Sequence, residues 1–383
     1  SACAQALGIS VNVTTFSGGI TNNGTIMAAA SATNAGGFGA SSATVRVAGI
    51  EAIASTFNGS IVNTGTIAAS ALVSSGSSAG AVAAGIVAGG LNFNGGISNT
   101  GTITVSAQLG ANVGGAAAAT GVTAHLVSLS GSVVNLGNIA VVATNPTGLA
   151  SANGVSLTIS TMSGSVVNSG SISAVASGES AQALGIGLFQ GTFNGGVTNS
   201  GTITASAMVS GPTGFARATG ILFCDCGPSS GGVLNTGTIL ATAQAHPSAS
   251  AWGMSLNSRT MLGGVNNTGT IAAMANASGS HAFAGGIGIG VESSIVRFSD
   301  GSPSGGVTNS GSILASATLT AGSAVTAVGT DAQFRTFNSG INNSGTISAS
   351  ASANGGTANA VGVSLAGRVF NGVLANSGTI AAT

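Results

Sequence analysis

Apolar and polar positions alternate with period two through one phrase that recurs eleven times along the chain. It reads FNGGVTNSGTITASA at 193–207, FNGGISNTGTITVSA at 93–107, FNSGINNSGTISASA at 337–351 and FSGGITNNGTIMAAA at 16–30. The central Asn of each copy marks the register: Asn22, Asn63, Asn99, Asn135, Asn168, Asn199, Asn235, Asn267, Asn309, Asn343 and Asn376. Two residues before it stands Ile, Val or, in the last copy, Leu. Gly follows two residues after the Asn and Ile four after it, without exception. The alternation continues as Ile-x-Ala-x-Ala, as in Ile203, Ala205 and Ala207, with Val105 and Val141 at the first Ala step of two copies. Phe six residues before the Asn shares the parity where it occurs (Phe16, Phe57, Phe93, Phe193, Phe337 and Phe370). Phe, Gly, Val, Asn, Gly, Ile, Ala and Ala therefore face one way, and strict period two over this length predicts strand rather than helix.

The marker Asn recurs on average about every 35 residues, a period found in solenoids and propellers. A second mark is a Gly followed by a β-branched residue, as at Gly8, Gly49, Gly85, Gly121, Gly154, Gly185 and Gly362. In nine of the eleven copies it lies fourteen residues before the Asn; around Gly220 the distance is fifteen, and near Gly288 an insertion lengthens it. From each Asn forward to the next such Gly the distance runs from 17 to 27 residues. One arc of the repeat is length-locked and the other accepts insertions, as a wound β-coil with loops at one corner would.

A single unit with small inward residues buries no useful core, whereas stacked units do, at ~4.8 Å per strand. The expected fold is all-β: a right-handed parallel β-helix of about eleven coils, one solenoid domain over 1–383 and roughly 50 Å long. Like residues then stack in columns. The inward Asn would be costly unless each amide donated to one neighbouring coil and accepted from the other. The Gly after it is expected to turn the corner through positive φ. Two departures, Asn138 beside the ladder and Val373 in the last copy, look tolerable within the pattern. A β-propeller competes at this period, but its antiparallel hairpins want Asn-Gly or Asp-Gly turns and aromatic residues. One Trp and no Tyr favour coils.

Composition narrows the function. The chain has six Arg, no Lys, six acidic residues and three His, with zero net charge. Capture of nucleic acid or of an anionic membrane needs clustered Lys and Arg, so neither is expected as a partner. β-Branched residues argue against disorder, and no long run of Leu, Ile and Phe predicts a membrane span. The chain begins at Ser1 without a leader, as a processed product or an excised piece would.

The phrase G-[IV]-x-N-x-[GS]-x-I, as in GGVTNSGTI and GSIVNTGTI, resembles the β-helical passengers of bacterial autotransporters and filamentous-haemagglutinin-like adhesins. The resemblance spans essentially the whole chain and implies export to the bacterial cell surface and work in adhesion, aggregation or biofilm. No C-terminal barrel with aromatic-rich strands is present, which departs from a complete autotransporter. Neither end carries the atypical polar cap that hides an open coil. Joining NSGTIAAT to SACAQALGIS would put 29 residues between the marker Asn and the next Gly-preceded coil's Asn, slightly short of the internal range. Such ends invite a non-closing head-to-tail contact; a segment cut from a longer solenoid is the rival explanation.

Candidate chemistry is sparse. The acids Glu51, Glu179, Asp225, Glu292, Asp300 and Asp331 are scattered, and only Glu292 and Asp300 share an insertion, with Arg297 between them as in a solvated ion-pair loop. A polysaccharide-cleaving site needs clustered carboxylates, so no enzyme activity and no catalytic residue is expected. His125, His246 and His281 lie in separate repeats, and no Gly-Gly-x-Gly-x-Asp run is present, so neither metal nor cofactor is expected. Cys224 and Cys226, in ILFCDCGPSSGG, are candidates for a strained Cys-x-Cys disulfide; reduced thiols and a bond to another subunit are the rivals. Cys3 stands about six coils away, roughly 29 Å, too far to join them within one rod.

Outward residues such as Thr204, Ser206, Leu240, Thr242, Ala272, Met274, Leu314, Ser316, Ser348 and Ser350 form a neutral face. It could pack laterally against another rod or stay solvated. Ice binding would want a regular Thr-x-Thr, which only Thr102/Thr104 and Thr202/Thr204 supply. These observations predict a structural subunit of an extracellular filament or fibrous matrix, partnered head to tail by itself. The alternative is a monomeric adhesin passenger that holds a surface ligand through variable loops; deleting the 281–304 insertion separates the two, since an adhesin using it should lose binding whereas a filament should still assemble.

Overall fold

The computed structural model describes residues 2–33, 42–75, 78–290 and 305–383. Its regular structure is all strand, and every strand pairing is parallel. Each coil has three parts. A long arm, such as Ser42–Phe57 or Ser78–Phe93, pairs residue for residue with the long arms of the coils before and after it. A three-residue corner strand follows, from Ile20–Asn22 in the first coil to Leu374–Asn376 in the last; these make an eleven-stranded sheet. An Ile-Ala arm completes the turn, as in Thr66–Ser75 and Thr102–Leu109. The architecture is a parallel β-solenoid. In two coils the Ile-Ala arm and the next long arm run together as single strands, Asn138–Met162 and Ser171–Phe193.

Register follows from the columns. Ile203 faces Ile172 on one side and Ile239 on the other, and Asn199 sits between Asn168 and Asn235. Phe57 stacks on Phe93 with ring centroids 4.5 Å apart. Beyond them Leu129 and Met162 continue the same column. Ser229 takes the position above Phe193, and Phe223 from the same coil closes on the Phe193 ring at 5.3 Å. The core is thus a set of one-residue stacks, filled by Ile, Ala, Val and Phe.

The inward alternation changes phase at the second-mark Gly: Ala43, Val45 and Val47 point in before Gly49, and Ile50, Ala52 and Ala54 after it. The backbone bends there toward the opposite wall. A Cβ on Gly49 would overlap Ile67 Cγ2, and one on Gly185 would overlap Ile203 Cγ2. At this level the interior is one isoleucine thick, so the wall facing it has room only for backbone. In the ninth copy the residue against Ile313 is Gly286, which corrects the assignment of the mark to Gly288.

The corner glycine is also corrected. Positive φ among the described glycines occurs at Gly90, Gly115, Gly322, Gly355 and Gly356, none of which follows a marker Asn. The reason for Gly there is stacking: a Cβ on Gly201 would overlap the carbonyl oxygen of Gly170 in the preceding coil. That approach is held by backbone bonds from Ser200 and Gly201 N–H to the Asn168 carbonyl, at 2.8 and 3.1 Å, and from Thr202 N–H to the Gly170 carbonyl at 2.9 Å. Asn138 lies exposed within the column of Thr and Ser, and Leu374 holds the column position that pairs with Ile341 while Val373 points out.

Candidate functional site

The marker asparagines form one continuous ladder. Each Nδ2 donates to Oδ1 of the next Asn toward the C-terminal coil, from Asn22 through to Asn376, with every bond at 2.7–2.8 Å. The same nitrogen reaches backbone carbonyls: Asn199 Nδ2 lies 3.3 Å from Gly201 O and 3.3 Å from Thr238 O in the next coil. A buried amide is thereby satisfied on both sides, which is what lets a polar column stand inside an apolar core. All the amides point the same way, so the rod has a chemical direction. In the first coil Asn22 Oδ1 accepts from its own Gly24 N–H at 3.2 Å, and in the last Asn376 Nδ2 donates to its own Gly378 carbonyl at 3.2 Å. Amides do not titrate near neutral pH, so the ladder binds coils and moves no protons.

The outermost described coils expose the same columns. Ile9, Val11, Phe16 and Ile26 in the first coil, and Val363, Leu365, Phe370 and Ile380 in the last, are only partly buried against the core. Their equivalents one coil inward are fully enclosed.

Among the described residues the acids and histidines form no cluster. Glu51 pairs with Arg46 across the bend at Gly49, and the carboxylate bonded to it holds the Arg46 pKa above the ordinary arginine value, against the opposing effect of burial. Glu179 accepts from Thr213 Oγ1 at 2.9 Å, and Asp331 accepts from Gln333 Nε2 at 3.0 Å, each in a different coil. His125 contacts Thr123 Oγ1 at 3.3 Å, and His246 Nδ1 contacts Ser278 Oγ at 2.9 Å. Among the described residues no three His, Cys, Asp or Glu side chains come together as a metal site would require. Glu292, Arg297 and Asp300 lie outside the described residues, and so do the side chains of Asp225 and Cys226. The Cys224–Cys226 disulfide therefore falls outside them too. Cys3 and Cys224 are exposed in their respective coils. The extra residue of that arc appears as a register shift between Asp225 and Pro228.

Two features went unread in the sequence. The Arg46–Glu51 pair has only a five-residue spacing as its signal, and the bend that brings the two together was not anticipated. A shallow groove of about 510 Å³ lies where Gly90 carries no side chain, bordered by Asn12, Val13, Ile53, Ser55 and Leu91. It holds no titratable group. Among the described residues no helix is long and apolar enough to cross a membrane, which leaves spanning by strands unaddressed. No known family model, no curated protein and no solved structure matches this chain.

Proposed function

We propose that this chain is the structural subunit of an extracellular surface filament or fibrous matrix, in which copies stack head to tail. One observation carries the proposal: the Asn ladder and the apolar columns run unchanged, with one polarity, to both outermost described coils. A second copy set on the C-terminal coil would offer Asn22 Oδ1 to Asn376 Nδ2, Phe16 to Phe370 and Ile26 to Ile380. Those pairs repeat the Asn199–Asn235 and Ile203–Ile239 contacts found inside the rod. Unpaired parallel edges on the two outer long arms would gain backbone bonds in the same step. Zero net charge removes the repulsion that keeps rods apart. Extracellular placement rests on the resemblance to secreted β-helical passengers.

Negative-stain microscopy of the purified chain at micromolar concentration tests the proposal. Fibres many times longer than the roughly 50 Å rod are expected; monodisperse short rods would remove end-to-end assembly.

A further inference from the structure

The outer face of the Ile-Ala arms is unlike the rest of the surface. Four outward columns cross it, at three, five, seven and nine residues beyond the marker Asn, the last column present in ten of the eleven coils. The first is Thr or Ser in every coil except for Asn138. None of the positions carries an ionisable residue; the six Arg, six acids and three His all fall elsewhere. Large apolar side chains nevertheless stand exposed there: Met27, Leu72, Val142, Met208, Met274 and Leu314. With the half-buried Val175 and Leu240, each of six consecutive coils carries one large apolar side chain on this face, spread over the last three columns; Val142 and Val175 are direct neighbours, whereas Met208 lies beside Gln244 and Leu240 beside Thr204. Uncharged, with large apolar side chains interspersed among small hydroxyls, the face has the composition of an interface rather than of a charged, solvated surface.

We infer that this face docks a second copy of the chain, rod side against rod side. Size supports it: eleven strands by about seven residues give roughly 50 Å by 20 Å, or about 1,000 Å² per copy, above the ~800 Å² per partner of a standard stable interface. Charge selects the partner class. A nucleic acid, an acidic peptide or an anionic lipid surface finds no counter-charge, whereas an identical neutral face meets no repulsion. In-register flat sheets pack face to face at ~10 Å, and a twofold axis in that plane closes the contact at two rods. The contact is independent of head-to-tail stacking, because it changes the width of the assembly and leaves its length alone.

Width therefore tests it. Double-width particles are expected for the unmodified chain by microscopy, with a matching doubled mass by sedimentation in any fraction one rod long. The triple variant Thr204→Lys, Leu240→Lys, Met274→Lys places like charges on the two facing sheets and should weaken lateral pairing by at least about tenfold. Its lengths should stay unchanged. A reference variant, Val127→Lys, Thr158→Lys, Ser160→Lys, puts the same charge on the outer side of the long arms and should keep double width. Circular dichroism melts of both variants establish that each is folded. Single-width particles from the unmodified chain overturn the inference, whatever else the face then binds. So does double width that survives the first variant, or that is lost equally in both.

Discussion

The coil around Asn199 and the coil around Asn376 are written in nearly the same words, yet one is core and the other is surface. Phe193, Val197 and Ile203 are sealed, at 1% exposure or less. Their counterparts Phe370 and Ile380 are only partly covered, and Leu374 is 48% exposed. Sequence does not separate them; the presence of a coil on each side does. A coil of this protein has half a core and borrows the other half, so stability resides in the contacts between coils. In rods dispersed below the concentration at which they stack, any substitution should therefore have one cost in a central coil and another in an outer one, and the ratio measures how much the neighbour contributes.

The corner glycines should show the widest gap. Gly201 lies against the Gly170 carbonyl, whereas a Cβ on Gly24 meets open space. Gly201→Ala must push two coils apart at a point where three backbone bonds hold them, and a loss of about 4 kcal/mol or more is expected. Gly24→Ala should change stability by no more than about 0.5 kcal/mol. Chemical denaturation of the two variants checks this, and equal losses would mean that backbone conformation, not stacking, demands the glycine.

The isoleucine column comes next. Ile203→Ala removes a fully buried side chain from a stack that cannot collapse sideways, at a cost of about 3 kcal/mol. Ile380→Ala removes one that is already half in solvent, and about 1 kcal/mol is expected. Matching values in the two melts would show that the outer coil is covered in solution by something else, another copy included.

How much of this was legible depends on whether a residue's reason lies within its own coil. Period two, the inward set of Ile, Ala and Phe, and the position of the Asn column follow from one copy read against the next. The glycines did not yield their reasons. Gly201 invites a turn explanation, because the carbonyl that excludes a side chain belongs to Gly170, thirty-one residues earlier. In GGIGIG both Gly286 and Gly288 precede Ile, and only contact with Ile313 on the opposite wall distinguishes them. Glu51 and Arg46 stand on one strand with opposite parity, so alternation alone would hold them apart. The phase change at Gly49 brings them together.

The smallest effect is the most discriminating, because it depends on direction as well as on position. Asn199→Ala leaves Asn168 Nδ2 bonded to the Gly170 and Thr202 carbonyls, but strips the buried Asn235 Oδ1 of its donor. One orphaned acceptor costs about 1–3 kcal/mol. Asn22→Ala should cost nearly as much, although it lies in an outer coil, since Asn63 Oδ1 is buried and takes its bond from Asn22. In an unstacked rod, Asn376→Ala removes an acceptor and a donor to its own exposed Gly378 carbonyl, and orphans no buried group. Asn343 Nδ2 keeps the Gly345 and Thr379 carbonyls, so less than about 0.5 kcal/mol is expected. The two ends of one rod should thus answer the same substitution differently in thermal melts. Equal responses at Asn22 and Asn376 in unstacked rods would mean that the amides do not share one direction, and a ladder without direction gives a second copy no reason to add at one end in one orientation.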